Sequence, residues 1–479
     1  MTTLYENFIN GRFIPADMVS AIEVRNPATH ELLALIPSAS EDEVNAAVDA
    51  ARCAQPAWEK TPAIQRARFL RNISSKIRQN KEHFAEIITR EMGKTLGLAR
   101  VEVDFTADYI DYMAEWARRI EGEVITSDRQ GESIFLMRRP IGVTVGILPW
   151  NFPFFLIARK LAPALITGNT IVIKPSEETP INAFEFAKLV AQTELPAGVF
   201  NLVGGRGATV GNQLCRHKDV GLISFTGSVQ TGTTIMQTAA MNLTRVNLEL
   251  GGKAPAIVLA SADLDLAAKA IVDSRVLNTG QVCNAAERVY VERSIADAFI
   301  DKVQTRMAAT RYGDPMVTLD LDMGPLVNQI GLEKVAAMVT KARQQGAEVI
   351  LGGKMADRPS GFHYEPTVIT GCSSDMEIMR KEIFGPVLPI QQIDSLDEAI
   401  VLANDSEYGL TSSIFTNDLN SAMRACRDLR FGETYINREH FEAMQGFHAG
   451  RRKSGIGGAD GKHGLYEYME TQVVYMQHG

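Results

Sequence analysis

Cysteine is scarce in this chain, and basic residues are outnumbered by acidic ones. The five cysteines among 479 residues lie far apart and form no C-x-x-C pair; they are Cys53, Cys215, Cys283, Cys372 and Cys426. This spacing argues against a disulfide framework and against a zinc site, so no metal is expected. The net charge of -8 argues against a nucleic-acid partner.

Long hydrophobic runs are also absent. The longest apolar stretch, residues 141–158, is interrupted by Pro149, Asn151 and Pro153, so we expect no membrane-spanning helix. The stretch "MTTLYENFINGRF" has no basic segment followed by an apolar one, which indicates no secretory signal. With 45% hydrophobic and 22% charged residues, the composition is typical of a globular protein of two or three domains, and we expect it in the cytoplasm.

The pattern of apolar residues predicts an α/β protein. Ser40 and Glu43 fit a capping box, and helical spacing continues from residue 41 to about Arg119. Residues 122–142 predict a hairpin. Short apolar runs then alternate with helix-like segments, which favours a doubly wound parallel sheet: "VTVGIL", "TIVIKP", "VFNLV" and "VGLISFT". A second such series starts near "APAIVLA", and the tail "TQVVYM" predicts one further strand.

Three loops after predicted strands could bind a ligand. "NLVGGRGATVGN" carries Gly207 and Gly211, and "SFTGSVQTG" places Ser228 at a helix N-terminus, where free N–H groups could hold a phosphate. "IVIKPSEETP" ends a strand with Lys174, Ser176 and Glu177, at the sheet edge where α/β proteins bind ligands. Ordinary βα turns and solvent-exposed charges are the alternative interpretations.

Two single residues could carry chemistry. Glu249 of "LELGGKAP" stands among apolar residues and glycines, where a carboxylate loses hydration and its pKa rises toward that of a general base. Cys283 of "NTGQVCNAAERV" lies in a glycine-containing loop that could leave its thiol accessible to a substrate. A paired structural glutamate and a small buried thiol are the alternatives.

Together, six ordered motifs resemble the NAD(P)-dependent aldehyde dehydrogenase superfamily: "PWNFP", "KPSE", "FTGS", "LELGGKAP", "GQVC" and "EIFGPV". The resemblance covers nearly the whole chain. It implies a Rossmann-like NAD-binding domain (residues 1–119 and 143–250) and an α/β catalytic domain (residues 251–458). It also implies an oligomerisation element (residues 120–142 and 459–479) that builds a homodimer or homotetramer.

The same resemblance implies the catalytic roles. Cys283 would attack the aldehyde, and the resulting thiohemiacetal would lose hydride to become a thioester. Asn151, with the Cys283 backbone N–H, would form the oxyanion hole. Glu249 would activate the water that hydrolyses the thioester to the carboxylate.

The implied cofactor is NAD rather than NADP, because Glu177 would repel a 2′-phosphate. Lys174 and Glu177 would bind the adenosine ribose, and Ser228 the pyrophosphate. The remaining residues implied to line the cofactor site are Ile147, Leu148, Trp150, Ser176, Gly207, Gly211, Glu382 and Phe384.

The implied substrate is a small polar aldehyde, with Arg159, Asn284, Glu442 and His448 as the recognition residues. Arg159 stands where many relatives have an aromatic residue, on the helix face of residues 151 and 155. An apolar aldehyde would leave that charge unpaired. The resemblance favours 2-hydroxyaldehydes, lactaldehyde to lactate and glycolaldehyde to glycolate. A structural salt bridge from Arg159 to Glu442 is the alternative role.

Other functions are alternatives to this one. Related enzymes use an arginine to hold a carboxylate, so oxidation of succinate semialdehyde is the alternative reaction. A CoA-acylating or phosphorylating reductase typically lacks the carboxylate that Glu249 provides. A catalytically inactive binding or structural protein on the same fold is the alternative of a different class, and the presence of Cys283, Glu249 and Asn151 argues against it.

Overall fold

The computed structural model describes residues 2–478. Met1, in the predicted segment 1–119, and Gly479, in the predicted segment 459–479, lie outside the described residues. Short strands open the chain: β1 (Thr3–Leu4), β2 (Asn7–Ile9), β3 (Arg12–Ile14), β4 (Ile22–Arg25) and β5 (Leu32–Ile36). Four helices follow: α1 (Glu41–Lys60), α2 (Ala63–Gln79), α3 (Lys81–Met92) and α4 (Leu96–Ala114). The capping box of Ser40 and Glu43 starts α1, as predicted.

The predicted hairpin is confirmed. β6 (Glu123–Thr126) pairs antiparallel with β7 (Glu132–Pro140). The predicted C-terminal strand, β21 (Met469–Gln477), pairs with the other edge of β7, and the three strands form a separate sheet.

A βα series builds the first large sheet. In chain order it contains β8 (Val143–Ile147), α5 (Pro153–Thr167), β9 (Thr170–Lys174), α6 (Ile181–Ala191), β10 (Phe200–Leu202), α7 (Asn212–Arg216), β11 (Leu222–Thr226), α8 (Val229–Ala239) and β12 (Arg245–Glu249). The strand order is β20-β12-β11-β8-β9-β10-β2-β3, where β20 is Gly455–Ile456. The five central strands are parallel. The strand order reverses at β8, because β9 and β10 follow on one side of it and β11 and β12 on the other.

A second βα series builds a seven-stranded sheet. It contains β13 (Ala254–Val258), α9 (Leu264–Val276), β14 (Ala286–Glu292), α10 (Ala296–Ala308), α11 (Gln329–Gln344), β15 (Glu348–Leu351), β16 (Thr367–Thr370), α12 (Glu377–Arg380), β17 (Val387–Ile393), α13 (Leu396–Asn404), β18 (Thr411–Phe415), α14 (Leu419–Asp428) and β19 (Glu433–Ile436). Its order is β15-β16-β17-β14-β13-β18-β19, with only β15 antiparallel among these strands. The short helix α15 (Gly461–Tyr466) precedes β21.

The predicted α/β fold with two parallel sheets is confirmed. Helix α5 is buried along its whole length between α4 and the first sheet, which explains its almost entirely apolar sequence. Within residues 2–478, no helix has the length and apolar character needed to cross a bilayer.

Candidate active site

The two large sheets meet end to end around one cavity of about 270 Å³. The first sheet contributes residues at the carboxyl ends of its strands, and the second contributes residues just before the amino ends of its strands. This arrangement gathers many of the residues singled out in the sequence. The cavity is lined by Trp150, Asn151, Arg159, Ser228, Glu249, Cys283, Asn284, Glu382, Phe384, Glu442 and His448.

Cys283 lies in a tightly constrained loop between α9 and β14. Asn278 and Thr279 have left-handed backbone angles (φ 49° and 60°), and Gly280 follows at φ 74°. A Cβ at residue 280 would stand 2.2 Å from the carbonyl oxygen of Gly385, so only glycine fits there. The Gln281 side chain donates to Asn278 O at 3.0 Å and accepts from Val327 N at 2.9 Å. The loop thus presents a half-buried thiol at a fixed place in the cavity.

Asn151 lies just before α5 rather than on it, because the helix begins at Pro153. The prediction that residues 151, 155 and 159 share one helix face is therefore wrong in detail, although all three line the cavity. The Asn151 Nδ2 donates one hydrogen to Gln281 O at 3.0 Å. Its second hydrogen remains available beside the Cys283 loop.

Glu249 is the last residue of β12, and its carboxylate is buried. Neither carboxylate oxygen has a hydrogen-bond partner among the described residues. Burial raises the pKa of Glu249 to about 7, against the opposing effects of His448, Arg159 and Lys160. A carboxylate in this state can accept a proton near neutral pH.

His448 is buried, and it lines the cavity together with Glu249 and Cys283. Its Nε2 lies 3.4 Å from Glu249 Oε2 without forming a hydrogen bond, and its Nδ1 lies 2.8 Å from Glu433 Oε1. Burial alone would lower the pKa of His448, but Glu249, a hydrogen bond with Cys283, and Glu433 raise it well above its usual value. His448 was predicted only as a substrate residue, and Glu433 was not predicted at all.

Arg159 is buried and paired with two carboxylates. Its Nε and Nη2 donate to the two carboxylate oxygens of Asp460, the first at 3.0 Å, and Nη2 also lies 3.2 Å from Glu442 Oε1. The second oxygen of Glu442 accepts from Asn284 Nδ2. An apolar aldehyde would therefore not leave the charge unpaired, and that argument from the sequence is wrong.

The predicted adenosine-binding residues gather on the first sheet, away from Cys283. Ile147 and Lys174 are paired at the carboxyl ends of β8 and β9, and Leu148 N donates to Lys174 O at 3.0 Å. The Lys174 ammonium lies 3.4 Å from Glu177 Oε2, and Glu177 Oε1 accepts from Gly207 N at 3.4 Å. A Cβ at Gly211 would contact the Lys174 side chain at 3.7 Å.

Two other predicted cofactor residues lie in the turns that follow β9 and β11 of the same sheet. Ser176 accepts from Glu178 N at 3.3 Å and shapes the turn after β9. Ser228 caps α8 by accepting from Thr231 N at 3.2 Å, and the helix N-terminus beyond it offers further N–H groups.

Glu382 and Phe384 precede β17 and close the cavity opposite Trp150. The Phe384 ring meets the Trp150 ring edge-on at 5.4 Å, and Phe384 has a left-handed backbone (φ 58°). Glu287 supports this conformation, because its carboxylate accepts from Ile383 N at 2.9 Å and Phe384 N at 3.1 Å. Burial raises the pKa of Glu382 to about 7, and the nearby charge of Glu287 adds to the effect.

These groups fit a nicotinamide dinucleotide. The structure offers a carboxylate for ribose hydroxyls at Glu177, a helix N-terminus for a pyrophosphate at α8, and the aromatic side chains Trp150 and Phe384 in the cavity that holds the thiol. The cluster also stands at the carboxyl ends of parallel strands, where α/β sheets bind such ligands.

Three residues around the site were not predicted from the sequence: the buried Lys160 and Asp460, and the half-buried Glu433. Lys160 Nζ donates to Ser224 Oγ and Thr226 Oγ1 at 3.1 and 3.0 Å, and burial lowers the pKa of Lys160 to about 7. A lysine within the apolar pattern of α5 was a possible signal. Asp460 carries no local signal, because its partner Arg159 lies 301 residues away. Nothing in the sequence around Glu433 indicates its bond to His448, 15 residues further along the chain.

Comparison with known proteins gives consistent matches. The model of the aldehyde dehydrogenase family matches residues 13–474. Lactaldehyde dehydrogenase of Escherichia coli (strain K12) is 58% identical over 470 residues, which cover 98% of each chain. A crystal structure of the E. coli enzyme superposes with a TM-score of 0.99 over 100% of both chains. The structure of 3,6-anhydro-L-galactose dehydrogenase in complex with NAP superposes with a TM-score of 0.96 at 42% identity, over 99% of this chain and 100% of the other.

Proposed function

The chain belongs to the aldehyde dehydrogenase family, and we propose that its substrate is a small, uncharged 2-hydroxyaldehyde. The enzyme oxidises the aldehyde to the carboxylic acid with a nicotinamide dinucleotide. Lactaldehyde, oxidised to lactate, is the first choice, and glycolaldehyde, oxidised to glycolate, is the second. The name of the E. coli relative at 58% identity supports the first choice.

The chemistry follows from three residues at the cavity. Cys283 forms a bond to the aldehyde carbon, and the Asn151 amide, with the Cys283 backbone N–H, stabilises the negative oxygen. The bound dinucleotide supplies the hydride acceptor. Glu249 takes a proton from a water molecule, which attacks the Cys283 thioester and releases the carboxylate.

The pairing of Arg159 carries the substrate proposal. Asp460 and Glu442 already surround this guanidinium, so a substrate carboxylate would add a third negative charge to the cluster. Such a charge is repelled strongly where burial weakens solvent screening. This disfavours succinate semialdehyde and favours a neutral substrate.

Polar and aromatic side chains at the cavity favour a small, hydroxylated substrate. Asn284, Glu442 and His448 offer amide, carboxylate and imidazole groups beside Cys283, able to hydrogen-bond a 2-hydroxyl. Phe105 packs against Phe155 and Phe441, with ring centroids 4.8 and 5.6 Å apart, which narrows this part of the cavity.

We further propose NAD as the preferred cofactor, and a homodimer or homotetramer as the assembly. The Glu177 carboxylate, next to Gly207 N, would repel the 2′-phosphate of NADP. The exposed apolar residues on the sheet of β6, β7 and β21 support its role as an interface; they are Val124, Ile125, Met137, Val473, Tyr475 and Met476. The domain boundaries and the cytoplasmic location stay predictions.

The test is formation of NADH by the purified protein, without CoA or phosphate. We expect kcat/KM for lactaldehyde and glycolaldehyde to exceed that for succinate semialdehyde by about 100-fold or more, since unpaired or opposed buried charges cost several kcal/mol. NADP should support slower turnover than NAD. Preference for the semialdehyde would overturn the proposal and make Arg159 a carboxylate clamp.

A further inference from the structure

A buried ion pair stands behind Asn151. Lys94 follows α3 and Glu102 lies in α4, and both charged side chains are fully buried. The Lys94 ammonium donates to the Glu102 carboxylate and to the Asn151 backbone carbonyl, the latter at 2.9 Å. It also lies 3.5 Å from the centroid of the Phe152 ring. The proposed reaction makes and breaks no bond at either charge, although charges are costly to bury.

Glu102 also fixes the start of α5. The helix begins at Pro153, and its N-cap residue Phe152 supplies no side-chain hydrogen bond. Glu102 Oε1 takes that place, because it accepts from Phe154 N at 2.9 Å and from Phe155 N at 3.1 Å. The first backbone donors of a helix find no partner within the helix itself. The carboxylate therefore caps α5 from a neighbouring helix.

Asn151 is held from two sides. Lys94 and the Asn278 side chain donate to its backbone carbonyl at 2.9 and 3.0 Å. Its own side-chain amide donates to Gln281 O at 3.0 Å. Because Asn151 precedes α5, the helix alone does not fix its position. The ion pair on one side and the loop of Cys283 on the other together set where the free amide hydrogen points.

We propose that the Lys94–Glu102 pair is a positioning element for the oxyanion hole: it holds the turn of residues 151–155 so that the Asn151 amide stays aimed at the oxygen of the reacting aldehyde. The inference rests on the proposed role of Asn151. Stabilisation of this kind needs donors already in place when the negative oxygen forms, and a displacement of about 1 Å can cost about a hundredfold in rate. A buried ion pair suits this task, because it adds little net stability but is costly to break.

The test is a double-mutant cycle on the single-turnover rate of NADH formation with lactaldehyde and NAD. We expect Lys94→Met to lower the maximal rate about tenfold or more. The lactaldehyde concentration that gives half of this rate should change less than about twofold, because the oxyanion forms only after binding. Asn151→Ala removes the donor itself and should cost about 10²–10³-fold. In that background Lys94→Met should add less than about twofold, since its target is gone.

Glu102→Gln separates position from charge, and it carries the cycle alone if Lys94→Met fails to fold. Lys94→Met leaves an unpaired carboxylate, which would repel the oxyanion, whereas Glu102→Gln leaves an unpaired ammonium, which would attract it. A loss of position therefore predicts a slower reaction in both variants. A faster reaction in Glu102→Gln would make the effect electrostatic and overturn the inference.

Arg66→Met is the matched control for the stability of α5. The buried Arg66 guanidinium binds the other end of this helix, where it donates to Ile166 O at 3.1 and 3.0 Å. We expect a lower melting temperature and an unchanged single-turnover rate. An equal fall in rate in Arg66→Met and Lys94→Met would show that any loosening of α5 suffices, and the positioning role would be rejected.

Two results of the cycle distinguish this inference from the mechanism on which it rests. If Asn151→Ala is slow and Lys94→Met multiplies that loss independently, the positioning role fails and the oxyanion role of Asn151 stands. If Asn151→Ala is as fast as the parent, both fail. A preference for succinate semialdehyde rejects only the proposed substrate, and the same cycle run with that aldehyde then decides the inference.

Discussion

Glu249 combines an unsatisfied buried carboxylate with a position next to the nucleophile. Its pKa of about 7 means that it is protonated, and unable to accept a proton from water, below neutral pH. Above pH 7 it is a carboxylate and can act as a base. We expect kcat to rise as pH increases through about 7, which a pH–rate profile would check.

Replacing this carboxylate separates the two halves of the reaction. Glu249→Gln should keep a rapid burst of about one NADH per active site but lose steady-state turnover by about 10²–10⁴-fold, because only hydrolysis of the thioester needs the base. Stopped-flow absorbance measures both phases. Loss of the burst together with turnover would show that Glu249 also serves the first step.

At this scale the sequence predicts best those residues that stand in local motifs. Cys283, Glu249 and Asn151 were all recognised from such motifs and line one cavity. Asp460 was not, because its partner Arg159 lies 301 residues away and nothing near either residue indicates the pair. Two residues that pair only after folding need no fixed spacing in the chain, so the sequence does not indicate the ion pair.

At the scale of elements, the loop of residues 277–283 depends on one close approach. Gly280→Ala would place a methyl group against Gly385 O at a left-handed backbone position. We expect a loss of about 1–3 kcal/mol of unfolding free energy and at least a tenfold fall in kcat, since the strained loop carries Cys283.

Gly97→Ala is the matched control, because a Cβ there meets nothing within 4 Å and the residue lies in α4. This change should leave kcat unaltered and stabilise the protein slightly, by up to about 1 kcal/mol. Chemical denaturation and steady-state assays compare the two variants. Equal behaviour of both would mean that the loop can shift without consequence.

The strands that the sequence predicts are mainly short runs dominated by apolar residues. β14 was not, because its sequence includes Glu287 and Arg288, both buried. Lys253 and Arg275 neutralise Glu287 and, against the effect of burial, lower its pKa to about 2. The strand therefore becomes compatible with the core only through partners from other elements. The N-terminal strands β1 to β5 were missed for a simpler reason, since most are too short for an alternating pattern.

At the scale of the whole molecule, β21 joins the end of the chain to the hairpin over nine paired residues. Val473→Pro would remove a donor in the middle of this strand and disturb the proposed interface. We expect a smaller assembly by light scattering after size-exclusion chromatography, and a melting temperature lower by a few degrees. Val473→Thr keeps the strand and is the control. An unchanged mass for the proline variant would place the interface elsewhere.

The same pairing sets an order of events during synthesis. Arg138 of β7 and its hydrogen-bond partner Thr471 are 333 residues apart. At roughly 5–20 residues per second, a ribosome would need roughly 15–65 seconds to make the intervening chain. For that time the outer edge of the hairpin has no native partner, and an open edge is a site for mispairing. Because Glu433, His448 and Asp460 also lie far along the chain, the nascent chain can close this sheet and complete its active site only after these residues have been made.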